Sequence, residues 1–276
     1  MATPALVMVA GPNGSGKSTL IQKLRESGVA DLPARYVNAD ELQRARGLAT
    51  GEAQKLAETL RREAIQLGHS VMYETVMSHP SKIAELQAAA RQGYSITVLF
   101  VATSSPELNV QRVKDRVAEG GHDVPDDKTR SRYARALALA PSAIGYANQA
   151  LVFDNSRKEG HALHAELIGG RLRPTLAELL PWTRKIVAEV NERSAEIEGL
   201  IAGRRGGDLI AAQLSSGEYL GPVLTTIARH FVLQIDDSSQ AQIIHDRALL
   251  AQPLRDHESC RITYRDGVAQ VASVRR

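Results

Sequence analysis

Gly11-Pro12-Asn13-Gly14-Ser15-Gly16-Lys17-Ser18, followed by Thr19, stands between an apolar run from Ala5 to Ala10 and a segment of helical periodicity that opens at Lys17. The spacing is that of the phosphate-binding loop G-x-x-x-x-G-K-[ST], met here in the strand-loop-helix setting that the motif needs. Glycines let successive backbone N–H groups turn toward one anion, and the helix adds its positive end at the same point. The stretch from Gly11 to Thr19 is thus expected to hold a nucleoside triphosphate, ATP or GTP. Lys17 would reach the β- and γ-phosphates, and Ser18 would offer its hydroxyl to Mg2+.

Working outward, strand-like runs recur at Tyr36 to Val37, Ser70 to Tyr73, Ser95 to Ala102 and Leu151 to Phe153. Segments of helical spacing, Gly51 to Leu67, Ser81 to Arg91 and Pro106 to Ala118, lie between them. That alternation predicts an α/β fold with a parallel sheet and helices on both faces. A further helix is expected from Thr175 to Ala202, ending in the glycine-rich stretch from Gly203 to Gly207. Beyond it, short runs at Tyr219 to Ile227, Phe231 to Ile235, Gln242 to His245, Cys260 to Tyr264 and Val268 to Val274 predict a small antiparallel β module or barrel. The expected division is an α/β unit over 1–185, a helix and linker over 186–207, and an all-β unit over 208–276.

Composition is that of an ordinary globular chain: 276 residues, 43% hydrophobic, 24% charged, net charge +3. The single cysteine, Cys260, cannot close an internal disulfide, which suits a reducing cytoplasm. No run approaches a membrane span and no secretory leader is visible, so a cytoplasmic location is expected and a membrane partner is not. Basic and acidic residues nearly balance in the C-terminal stretch, which argues against a nucleic-acid footprint.

In a doubly wound sheet, ligands gather at the carboxyl ends of the strands. Asp40, after the second run, can take a proton from an attacking hydroxyl or hold Mg2+ through water; it can also simply cap the helix that follows. Glu74 and Thr75, after the third, face the same cleft and are candidates for binding an acceptor. From Arg112 to Pro125 the sequence reads as a lid: Arg116 is the leading candidate to meet a transferring phosphoryl group, with Arg112, Arg130, Arg132 and Arg135 behind it. His122 either binds phosphate or substrate or satisfies a turn. Asp154-Asn155-Ser156 either borders the base or forms an Asx turn.

This ordered series, the phosphate loop, Asn38-Ala39-Asp40, Glu74-Thr75, Arg116 with Gly120-Gly121-His122-Asp123-Val124-Pro125, and Asp154-Asn155-Ser156, resembles the zeta-toxin-like family of phosphate-loop kinases over about residues 4–185. The resemblance implies a kinase acting on a hydroxyl of a nucleotide-linked small molecule such as UDP-N-acetylglucosamine. A toxin role would go with it, countered by an antitoxin or by intramolecular regulation from the C-terminal unit. It assigns phosphate and Mg2+ binding to Lys17 and Ser18, base catalysis to Asp40, substrate binding to Glu74 and γ-phosphate contact to Arg116. The chain departs from the pattern at Val76, where several members have threonine, and at His122, near where the better-known toxins have a second arginine. Both changes fall on the acceptor side. Two other readings stand beside it: a small-molecule kinase without a toxin role, and a nucleotide-dependent switch with a partner-binding C-terminal module. That C-terminal stretch more distantly resembles a KfrB-type β domain.

Overall fold

A computed structural model describes residues 2–28, 32–121, 123–173, 178–203, 208–225 and 228–274. Strand β1 (Ala5–Ala10) is buried on both faces after its first residue, as its unbroken apolar sequence requires of a central strand. It leads through the glycine-rich loop into α1 (Lys17–Ser27). There follow β2 (Tyr36–Val37), α2 (Ala39–Arg46), α3 (Thr50–Gln66), β3 (Val71–Thr75), α4 (Ser81–Arg91) and β4 (Ser95–Ala102). The unit closes with α5 (Pro106–Ala118), α6 (Asp126–Gly145), β5 (Gln149–Asp154), β6 (Ala162–Ile168), β7 (Arg171–Arg173) and α7 (Pro181–Ala202).

The seven strands are ordered β2-β3-β1-β4-β5-β6-β7. The first five run parallel, with Leu6 opposite both Val71 and Ile96 on the two sides of β1. The expected α/β architecture is present, with four differences from the sequence reading. Strand β5 is followed by an antiparallel hairpin, β6 and β7, turning at Gly169 and Gly170, whose φ of 56° and 74° suit a tight primed turn. A twenty-residue helix, α6, carries Arg130, Arg132 and Arg135 and has Pro141 in its interior. Strand β3 extends past the predicted Tyr73, so Glu74 and Thr75 are its last two residues. The last helix of the unit starts at Pro181 rather than Thr175; residues 174–177, the linker residues 204–207 and His122 lie outside the described residues.

A second sheet follows, built from β8 (Leu209–Ala211), β9 (Glu218–Thr225), β10 (Phe231–Ile235), β11 (Gln242–Asp246), β12 (Ser259–Arg265) and β13 (Val268–Ser273). Its order is β13-β12-β9-β10-β11-β8, an open row rather than a barrel, antiparallel except where β8 runs parallel to β11. Cys260 is a free, buried cysteine in β12, and burial pushes its thiol up to about 11.

The two sheets share one hydrophobic cluster, which runs from Leu6, Met8 and Phe100 to Val223, Ile262 and Tyr264. Polar groups lock them further. The buried side chain of Gln87 on α4 donates to Ala212 O (2.8 Å) and accepts from Leu214 N (2.9 Å). Asp246 accepts from Ser142 of α6 (2.8 Å) and pairs with Arg193 of α7, both partners being nearly fully buried. Glu196 of α7 accepts from the backbone N–H of Arg229 (2.8 Å) and His230 (2.9 Å).

His245, fully buried in β11, shares a 2.9 Å hydrogen bond with the hydroxyl of Tyr264 and lies stacked on that ring. Burial drives its imidazole from the ordinary 6.5 down to about 3. The folded protein therefore holds it neutral while the unfolded chain protonates it, so stability falls as pH drops from 6.5 toward about 3. We expect urea denaturation of the wild type to lose up to about 1.4 kcal/mol per pH unit more than His245→Gln across that window. Equal slopes for the two proteins would contradict this assignment.

Candidate active site

The phosphate loop is fixed from behind by close packing. A Cβ on Gly11 would lie 1.9 Å from Val101 O, and one on Gly14 would lie 2.5 Å from Asn109 O. Gly14 and Gly16 have φ of 75° and 92°, which non-glycine residues rarely adopt. Gly16 is also the N-cap of α1, so the free N–H groups of that helix start at the loop. Asn155 donates to Ser15 O (2.8 Å), and the imidazole of His161 lies 2.9 Å from Gly16 O. Arg132 of α6 donates to the side chain of Asn13 (3.3 Å).

Lys17 points back into the loop and donates to Pro12 O (2.9 Å). Burial pushes its ammonium below the ordinary Lys range, opposed by the charge of Glu74 and, more weakly, of Asp40, while Arg116 adds to the lowering. The charges of three of the candidates are thus felt at the same ammonium.

Glu74 is the most heavily bonded of them. Both carboxylate oxygens lie 3.0 Å from the hydroxyl of Ser18, and Oε2 also accepts from Tyr36 (2.7 Å) and Asn38 (2.7 Å). Burial and the Glu74 charge push the Tyr36 phenol far above its usual range, so it stays a donor. Asn38 meanwhile accepts from the N–H of Asp40 (2.8 Å) and Glu41 (3.3 Å), so it is Asn38 that caps α2. Asp40 is thereby free of the capping role that its sequence position allowed. It is exposed in the first turn of α2 and lines the cleft. The hydroxyl of Thr75 accepts from Met77 N (3.1 Å) and its carbonyl from Gly11 N (3.2 Å), which ties the end of β3 to the loop.

These residues line one cleft of about 860 Å³. Lys17, Ser18 and Thr19 at the start of α1, Asp40 of α2, Glu74 and Thr75 at the end of β3, and Arg112, Arg116 and Arg132 of α5 and α6 all line it. Arg61, His79, Ser81 and Lys82 line it as well. The buried Arg61 and the half-buried Lys82 both pair with Glu85, at 3.3 Å in the case of Arg61. Arg130 turns away and pairs with Glu107 (3.5 Å) and Asp126 (3.9 Å). The Asp154 carboxylate accepts from Ser156 N (3.1 Å), the Asx turn that the sequence allowed, while Asn155 beside it lines the cleft.

Sequence reasoning missed Tyr36, Asn38, Asn109, Arg132 as a loop contact, and His161. Only Asn38 carried a legible signal, as an Asx residue one position before a helix. The others act through contacts between elements distant in sequence. Among the described residues no group of three or more His, Cys, Asp or Glu side chains is arranged to hold a metal ion. The Ser18 hydroxyl and Glu74 carboxylate are nevertheless hard oxygen donors side by side. Such a pair fits Mg2+ held mainly by water and phosphate oxygens. No helix among the described residues is long and apolar enough to cross a membrane.

The model of the Zeta toxin family matches residues 1–142, which covers the phosphate loop, Asp40, Glu74 and Arg116 and stops short of the second sheet. An uncharacterized protein of Haemophilus influenzae is 29% identical over 132 residues, 46% of this chain and 91% of its own length. Among solved structures, the native AvrRxo1-ORF1:-ORF2 complex is similar at a TM-score of 0.50 and 18% identity. That alignment covers 67% of this chain and 64% of the other, so the chain spans just under two thirds of that structure. A structure from the PezAT chromosomal toxin-antitoxin system of Streptococcus pneumoniae aligns at a TM-score of 0.45 and 16% identity, over 72% of this chain and 88% of the other. With its family match spanning more than half its length, the chain belongs to the Zeta toxin family.

Proposed function

We propose that this chain is an ATP- or GTP-dependent phosphotransferase that moves the γ-phosphate to a hydroxyl of a nucleotide-linked small molecule such as a UDP-N-acetyl sugar. The observation that carries this reading is that Lys17, Glu74, Asp40 and Arg116 line one cleft beside the glycine-rich loop. A purely structural loop has no need of a lysine, an arginine and two acids lining one cleft.

In this reading the loop N–H groups and Lys17 hold the β- and γ-phosphates, and Arg116, with Arg112 beside it, neutralises charge on the transferring oxygens. Asp40, exposed to the cleft and relieved of capping, accepts the proton of the acceptor hydroxyl. Glu74 orients Ser18, and bound Mg2+ would supply neutralisation of the phosphate oxygens there. The acceptor enters beside Arg61, His79 and Lys82. Family membership supports a toxin role with an antitoxin partner, and the reducing compartment suited to a lone buried cysteine is the cytoplasm.

Two variants test the two halves of the site. Gly16→Ala, whose Cβ would lie 2.2 Å from the Asn155 amide nitrogen, is expected to weaken binding of a fluorescent ATP analogue by at least about tenfold, or ~1.4 kcal/mol; unchanged affinity would refute the loop assignment. Asp40→Asn is expected to keep ATP affinity within about twofold while product formation on a panel of UDP-sugars and dinucleotides falls by about 10²–10⁴. Turnover equal to wild type would remove Asp40 from the role of base.

A further inference from the structure

Two parts of the cleft lining have different supports. The phosphate loop is braced from within the first unit, by Asn109, Asn155, His161 and Val101. Another part of the lining is the first turn of α4 and the residues before it, against which the second sheet packs. Gly267, in the turn between β12 and β13, sits so near that a Cβ there would be 2.2 Å from Pro80 O, 2.5 Å from Pro80 C and 3.0 Å from Ser81 N. Pro80 O is the carbonyl that starts α4, accepting from Ile83 N (2.9 Å) and Ala84 N (3.2 Å). His79 and Ser81, the neighbours of Pro80, line the cleft and are bonded to each other, Ser81 N donating to His79 Nδ1 (3.2 Å).

The contact is not a loose touch. Gly267 N donates to Leu214 O (2.8 Å), and Leu214 N is held by Gln87 farther along α4, so turn, loop and helix form a closed circuit. Asp266 adds an ion pair to Arg62 (3.0 Å) on α3, next to the cleft residue Arg61.

We propose that the Asp266-Gly267 turn is a positioning element for the acceptor wall: the second sheet sets the place of the first turn of α4, and with it His79, Ser81 and Lys82, while leaving the nucleotide wall alone. The inference rests on the reading of that part of the cleft as the acceptor side. It makes the C-terminal sheet a part of substrate selection rather than an appended module.

The test uses the full chain with Gly267→Ala and Gly267→Asn. Gly267 has φ of 81°, and Asn tolerates such a conformation where Ala does not, yet both bring the Cβ that meets Pro80. Positioning predicts that both variants raise hydrogen exchange at residues 81–86 by at least about tenfold. Residues 17–21 should keep wild-type exchange, and ATP-analogue affinity should stay within about twofold. With any UDP-sugar or dinucleotide that turns over, acceptor KM should rise while KM for ATP holds. If Gly267→Asn leaves residues 81–86 at the wild-type rate, only turn strain is at stake and the proposal is overturned. It is equally overturned if exchange rises throughout the chain and nucleotide affinity falls with it. Should the wild type phosphorylate nothing, the kinase reading fails by that result, and the exchange comparison still decides whether the turn governs the wall.

Discussion

One carboxylate organises the mouth of the cleft. Glu74 accepts from Ser18 on the phosphate-loop helix and from Tyr36 and Asn38 at the end of β2, so three elements that meet nowhere else in sequence are joined at one pair of oxygens. Hydrogen bonds to a charged acceptor are the stronger kind, and those from Tyr36 and Asn38 are partly shielded from water. Asn38, held by Glu74 on one side, caps α2 on the other, and that cap is what leaves Asp40 facing the cleft. The orientation of the proposed base is thus inherited from the residue proposed to steady the metal-side hydroxyl.

In the proposed reading the cleft has a part that holds the nucleotide and a part that selects the acceptor. The holding part follows directly from backbone geometry: glycines at positive φ, carbonyls packed where a Cβ would stand, and a helix end aimed at the ligand. The other part follows from no local rule. It carries the buried Arg61 and the half-buried Lys82, both paired with Glu85, and packs against a glycine nearly two hundred residues later in the chain. The second sheet accordingly shares its core with the first and leaves no solvent layer at Gln87 or Asp246.

Much of the fold was legible because its signals are local. An unbroken apolar run reads as a central parallel strand, and β1 and β4 match the predicted bounds residue for residue. Glycines and lysine at fixed spacing read as a phosphate loop. Helix α6 went unread because Arg130, Arg132 and Arg135 read only as residues behind a lid that ends at Pro125; the helix tolerates Pro141 inside a buried stretch. The β6–β7 hairpin had a signal, the Gly169-Gly170 pair, that went unread. The contacts of Asn155, His161 and Gly267 had none, since each bonds or packs against residues more than a hundred positions away. Site residues at strand ends were predictable for the same reason that the strands were; those that steady them are products of tertiary packing.

The account turns on whether this cleft transfers a phosphoryl group to a small acceptor. The most direct measurement incubates the full chain with γ-phosphate-labelled ATP, Mg2+ and a deproteinised bacterial metabolite extract, then follows the label by chromatography and mass detection. The account predicts label in a new low-molecular-weight phosphorylated compound bearing a nucleotide moiety. Label that stays in ATP, or appears only as inorganic phosphate, would contradict it.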